Sequence, residues 1–263
     1  MSIPSFGTIT YTVEAGVGTL TLNRPERRNA MTNQMVRETW EACTLAAGDP
    51  TLRILVLTGS GSSFCPGADL NWVAGGTSDG SDQRITTEHF QVPALLHDMA
   101  AVTVAAVNGA CAGAALGWAA ACDLRLATRS AKFNSAFLDV GVAGDMASPW
   151  TLTHLLGASK ARELFFIPDK FDATEAQRIG LVARVFDDDE FRASVDAAVA
   201  RLAAASPPAL RTMKANFLDA ERLDLSEFAQ LEAERHLHLF TLEDTREAFA
   251  AKVEKRAPRW TGR

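Results

Sequence analysis

Val102–Asp123, VTVAAVNGACAGAALGWAAACD, is the stretch that decides how the chain folds. Val102–Val107 is a short β-branched apolar run, the pattern of a buried strand. Asn108-Gly109 is a turn signal, because glycine accepts backbone angles that other residues avoid. From about Ala112 the chain is alanine-rich, which favours a helix and leaves its first turn nearly free of side-chain bulk. A strand, a tight turn and a small-residue helix start expose backbone N–H groups at the positive end of a helix dipole. Such a place can hold an anion, or an oxygen that becomes anionic during a reaction. From Met99 to Cys122 the stretch is apolar apart from Thr103, Asn108 and its glycines, long enough to raise a membrane span. Asn-Gly near its middle and the shortage of Leu, Ile and Phe speak against a span. A buried strand–helix unit held by close alanine packing needs no chemistry at all, so the rest of the chain has to decide.

The 263 residues give room for one large domain, or a main domain with a small appendage. A hydrophobic content of 47% with 22% charged residues is that of a soluble globular protein. The formal net charge of −6 argues against a nucleic-acid or anionic-membrane partner. Cys43, Cys65, Cys111 and Cys122 show no ligand-like spacing and read as reduced, buried thiols of a cytoplasmic protein. The opening MSIPSFGTITYTVEAG lacks a basic n-region and an apolar h-region, so no signal peptide is expected.

Thr8–Val13 and Val17–Leu22 alternate β-formers around Glu14-Ala15-Gly16, a hairpin signature. Asn23–Ala30 is a polar connector with three arginines. Thr32 is placed to cap a helix that runs to about Ala47 and stops at Gly48-Asp49-Pro50. Arg53–Thr58 is a buried strand, and Gln83–Met99 has a helical pattern. Leu124–Ala127 and Lys132–Asn134 read as strands. Ser148-Pro149 reads as a helix start, with Ser at the N-cap, and helix continues to about Phe166. Asp172–Glu175 resembles a capping box for a short helix ending at Gly180, and Leu181–Phe186 is a last strand. Beyond Asp188 the pattern is helical, broken at Ser206-Pro207-Pro208 and near Asp224. Alternating strands and helices followed by helices imply α/β with parallel sheet character and a helical C-terminal portion. No fixed-period repeat is visible.

Gly59–Phe64 approximates a dinucleotide-binding glycine motif, but its third glycine is missing and Cys65-Pro66-Gly67 stands where a helix should begin. The five histidines make no metal site: His236 and His238 face different sides of a helix, and the others stand apart. No G-x-S-x-G is present.

Phe64-Cys65-Pro66-Gly67-Ala68-Asp69-Leu70, Val107-Asn108-Gly109 and Gly113–Asp123 together resemble the two signatures of the enoyl-CoA hydratase/isomerase (crotonase) superfamily. Asn23-Arg24-Pro25 with Asn29-Ala30, and Ala173–Val185, match as well, so the resemblance covers nearly the whole chain. It implies a crotonase-like spiral of ββα units, residues 1–200 being the acyl-CoA-binding core. Residues 201–263 would form a helical region for trimerisation and part of the coenzyme A site. A homotrimer or a dimer of trimers is implied. So is an acyl-CoA thioester as substrate, with coenzyme A a part of that substrate and no separate cofactor or metal.

The family's shared chemistry places a thioester carbonyl oxygen between two backbone N–H donors. By position these are Ala68 and Ala114, each behind a glycine, Gly67 and Gly113. When a proton leaves the acyl chain, charge gathers on that oxygen, and each preorganised donor contributes on the order of 3 kcal/mol. The resemblance further implies that Arg28 and Ala30 flank the nucleotide of coenzyme A, with Asp69 and Leu70 shaping the loop across it. Gly75–Asp82 and the helix after it would shape the acyl pocket.

Hydratases of this family use two glutamates, and those positions are Gly117 and Phe137 here. Adding water across a double bond wants one group to activate the water and another to supply a proton. That pair is absent. Asp145, in Gly144-Asp145-Met146, aligns with an aspartate of some family isomerases. A carboxylate in an apolar pocket gains basicity by desolvation and can move a proton between two carbons. It could instead simply cap the helix beginning near Ser148. Asp139 is a second candidate, for the pocket or for a plain turn. The expected activity is double-bond isomerisation of an enoyl-CoA. A hydratase using Asp139 with Asp145, and a homologue that binds acyl-CoA without turnover, are the alternatives.

Overall fold

The computed structural model describes residues 3–70 and 85–263. Its main sheet is six-stranded, in the order β1 (Ile9–Glu14), β2 (Val17–Leu22), β3 (Ile54–Gly59), β4 (Val102–Val107), β6 (Leu124–Thr128), β9 (Arg184–Phe186). The opening hairpin forms as its alternation requires: Glu14 pairs with Val17 across a two-residue turn, Ala15 and Gly16, both at positive φ. Every later pairing in this sheet is parallel. All six residues of β4 are buried, which is why it reads as an unbroken apolar run rather than an alternation.

A second, smaller sheet holds β5 (Cys111–Ala112), β7 (Lys132–Asn134) and β8 (Phe171–Asp172). Isolated parallel bridges, Met31 to Ala68 and Cys65 to Cys111, extend it. Thus β2, β3, β4 and β6 are each followed by a short extended piece in the second layer. A helix comes next, as in α1 (Asn33–Ala47), α3 (Ala114–Ala121) and α4 (Ser148–Phe166), while the stretch after Leu70 lies outside the described residues. This is the expected spiral of ββα units. α2 (Val92–Asp98) precedes β4, and α5 (Ala173–Arg178) lies between β8 and β9. α6 (Phe191–Ala203) covers the other face of the main sheet, packing Phe191 and Val195 on Ile54, Val56, Val104 and Leu126. The boundary at 200/201 falls inside it. α7 (Pro207–Ala220), α8 (Leu225–Thr241) and α9 (Glu243–Glu254) complete the helical C-terminal region.

Several local readings change. Ser148 does not cap α4: Ala147, at φ 51°, takes that place, and the Ser148 hydroxyl donates to the Asp145 carbonyl 2.7 Å away. The described part of 83–99 is a 3-10 turn, Thr87–Gln91, leading into α2 rather than one helix. Only Arg184–Phe186 of the last predicted strand pairs. Gly109 is not at positive φ; what it supplies is space, since a Cβ there would lie 2.2 Å from the Ser62 carbonyl oxygen. Thr32 and Asp172 do cap, accepting from Met35 N–H and Glu175 N–H. All eight residues of α3 are buried, so its hydrophobicity belongs to a core helix. Among the described residues, no helix is long and apolar enough to cross a membrane.

Candidate active site

The loops that leave β2, β3, β4 and β6 at their carboxyl ends lace together. Met31 N–H donates to Gly67 O, and Asp69 N–H to Met31 O. Cys65 N–H donates to Ala110 O, Ala112 N–H to Cys65 O, and Gly113 N–H to Asn134 O. Gly67 and Gly113 meet back to back: φ is 100° and 56°, and a Cβ on Gly67 would lie 3.8 Å from Gly113 Cα. Both conformations favour glycine, and a Cβ on Gly67 would also press to 3.2 Å from the Ala112 carbonyl oxygen. Each glycine is followed by one of the predicted donors. Among the described residues, no carbonyl accepts a hydrogen bond from Ala68 N–H or from Ala114 N–H, the first residue of α3. Two unused amides beside the junction of two glycines, one of them on a helix N-terminus, suit a developing negative charge.

Beside them, Arg24 ties two loops. Its guanidinium donates to Asp69 Oδ2 at 3.2 Å from both terminal nitrogens, and to the Ala30 carbonyl. Asn29 is fully buried at φ 62°. Its Oδ1 accepts from Arg24 N–H, and its Nδ2 donates to the carbonyls of Ser60 and Ser63. Asn108 does the same between strands, accepting from Gly59 N–H and donating to Gly59 O and Gly61 O. The reading of the sequence missed the roles of Arg24 and Asn29. The signal was there in the Asn-Arg-Pro…Asn-Ala pattern, since Asn tolerates left-handed backbone and carries both donor and acceptor.

Arg28, predicted to flank the nucleotide, is exposed at φ 53° on the same connector, with Ala30 half-buried. Asp69 is buried in its ion pair, while Leu70 is 61% exposed. Gly75–Asp82, assigned to the acyl pocket, lies outside the described residues.

Asp145 stands on a turn between the 3-10 turn Leu138–Val140 and α4. Its Oδ1 is buried with no hydrogen-bond partner, and burial pushes its pKa up to about 6. Desolvation is the cause, with no neighbouring charge in play. Its side chain caps nothing; the backbone carbonyl, not the carboxyl, meets Ser148. Phe137, at the second glutamate position, is buried and stacks on Phe165 at 5.9 Å with planes 6° apart. Asp139 is exposed on its short turn, so the structure does not bury it beside Asp145.

A cavity of about 410 Å³ lies at the opposite end of α3, among Ala120, Cys122, Trp150, Lys214 and Phe217. It includes none of Ala68, Ala114 or Asp145. Lys214 there is buried and fully used, donating to Ala101 O at 2.9 Å and Asp123 Oδ2 at 2.8 Å. The four cysteines are free and buried, and burial raises their thiols, Cys65 and Cys122 to about 12. Thiolate chemistry is thereby disfavoured.

The family model for enoyl-CoA hydratase/isomerase matches residues 12–263. The chain belongs to that family. The 1,2-epoxyphenylacetyl-CoA isomerase of Escherichia coli K12 is 33% identical over 254 residues, 95% of this chain and 97% of that protein. An enoyl-CoA hydratase from Polaromonas sp. JS666 superposes with a TM-score of 0.85 at 28% identity, covering 97% of this chain and all of that one. A Thermobifida fusca YX structure in complex with CoA reaches 0.83 at 32% identity, over 89% of this chain and 93% of that one. Relatives of this family thus carry both hydratase and isomerase names.

Proposed function

We propose that the protein is an enoyl-CoA isomerase that moves a double bond by a single-base proton transfer. The observation that carries the reading is the half-buried Asp145, whose Oδ1 is shut away with no hydrogen-bond partner, in a chain whose two hydratase glutamate positions are Gly117 and Phe137. In this reading the thioester carbonyl accepts hydrogen bonds from Ala68 N–H and Ala114 N–H. Ionised Asp145 takes a proton from C2 of a 3-enoyl thioester, and the electron pair moves into a dienolate whose charge rests on the thioester oxygen. The same carboxyl then returns the proton to C4, leaving the double bond between C2 and C3. Nothing is oxidised and no water enters. Gly67 and Gly113 shape the donors, Asp69 and Leu70 the covering loop, and Arg28 and Ala30 the nucleotide end.

Hydration is the weaker reading. It needs a second acid or base, and Asp139 is exposed. Wild-type protein incubated separately with 3-enoyl-CoA and 2-enoyl-CoA, with products separated and identified, tests the choice. The proposal expects a shifted double bond from the first and no 3-hydroxyacyl product from the second. Hydration of 2-enoyl-CoA without any bond shift would overturn it.

A further inference from the structure

Gly117 lies in the middle of buried α3, and the space of its missing side chain is filled by the turn that carries Asp145. A Cβ on Gly117 would lie 2.5 Å from the Met146 carbonyl oxygen and 2.9 Å from Met146 Cβ. Real Cβ atoms do not approach a backbone oxygen so closely, and neither partner here is the free end of a flexible side chain. Gly117 is not at positive φ, so its backbone would suit any residue. The need for glycine is one of space.

The turn pressed against it is conformationally costly. Gly144, Met146 and Ala147 have φ of 108°, 47° and 51°, and the last two are not residues that enter the left-handed region readily. Such a backbone persists only where its surroundings over-determine it. Three contacts do so: the seat on Gly117, the Met146 side chain buried to 2% exposure, and the two bonds from Ser148 N–H and Oγ to the Asp145 carbonyl.

We propose that the Gly117–Met146 contact is the positioning device for Asp145, so that a side chain at 117 and a carboxyl at 145 with its Oδ1 shut away from water exclude one another. The inference rests on the reading of Asp145 as the base. Gly117 is then not simply a lost glutamate: its bareness is the condition for the aspartate. Installing a glutamate there would displace the base rather than add a second one.

Gly117→Ala tests the contact from the helix, and Met146→Gly tests it from the turn by freeing the backbone and removing the buried side chain. The readout is the pH midpoint of Asp145, taken from the pH dependence of unfolding of each protein minus that of its Asp145→Asn counterpart. No substrate is required. The native chain is expected to give a midpoint near 6. In both variants it should fall to about 5 or below as water reaches the carboxyl. With 3-enoyl-CoA, kcat of Gly117→Ala should drop at least about tenfold while KM stays within about twofold. Midpoints that stay near 6 in both folded variants would overturn the proposal, as would an unchanged kcat in Gly117→Ala. If Gly117→Ala does not fold, Met146→Gly decides by the same midpoint. If the native enzyme shifts no double bond, the functional reading fails while the titration still judges the contact.

Discussion

Asp145 combines two properties that ordinary surface aspartates lack: one carboxyl oxygen is shut away without a partner, and the group holds its proton to about pH 6. A base must be ionised to act, so kcat/KM for the isomerisation should rise with pH through about 6 and level off above it. A stopped-time assay across pH 5 to 8 checks this, each end being roughly a unit or more from the midpoint. The stability consequence has the opposite direction. The folded pKa lies above the unfolded one, so the unfolded chain releases this proton first. The Asp145 contribution to native stability therefore falls as pH rises from about 4 to about 6 and stays reduced above that. Asp145→Asn should consequently be more stable than the native chain at pH 8, by about 2 kcal/mol, and nearly equal to it at pH 4 in denaturant titrations. The candidacy of Asp145 was readable from its place in the family pattern, and desolvation was expected of a carboxyl in an apolar pocket. Its freedom from capping duty was not readable, because Ser-Pro looks the same whether the serine is the cap or, as here, the first helical residue donating backwards. Asp139 and Asp145 also look alike in a line of letters. Only the structure separates them: a short turn exposes Asp139, whereas Oδ1 of Asp145 is shut away from water.

The elements around the site are held by short backbone pairings and by polar side chains that bridge loops. Asn108 accepts from Gly59 N–H and donates to two carbonyls, joining the ends of β3 and β4 where backbones approach too closely for a side chain at Gly59 or Gly109. Asn108→Ala should therefore cost about 2 kcal/mol in urea unfolding and shift the midpoint without changing m. Asn108-Gly109 was readable as the end of the strand, but its glycine serves for space rather than for a left-handed turn, and the hydrogen bonds of Asn108 to a strand 49 residues away have no local signal. At the other end of α3, Lys214 on α7 is buried against Asp123, Leu96 and Ala101. Lys214→Met leaves the Asp123 carboxylate without its cation and should destabilise the protein by about 3 kcal/mol in thermal or chemical unfolding. A lysine in an amphipathic helix pattern ordinarily reads as solvated, which is why this pair escaped notice.

In the whole molecule, the same strand, short second-layer piece and helix recur with no repeating sequence period. Each turn of the spiral buries a different neighbour: α3 is apolar all round, whereas α1 has an outer polar side. Packing position, not repetition of letters, sets those patterns, so α/β alternation was readable and the spiral came only through family resemblance. The C-terminal helices expose Met213, Phe217, Leu225, Leu237, Phe249 and Val253. Such apolar faces suit burial between subunits, as the implied trimer requires. Light scattering on a sizing column should give three or six times the 28.2 kDa chain mass, and a monomer at micromolar concentration would contradict that.

The decisive comparison is Asp145→Asn beside the native enzyme on 3-enoyl-CoA, with binding of the thioester measured in parallel. Single-base isomerisation predicts a loss of at least about 10³-fold in kcat with binding changed by no more than about threefold, since only the proton-carrying group is removed. A variant that still shifts the double bond at the native rate would contradict the account.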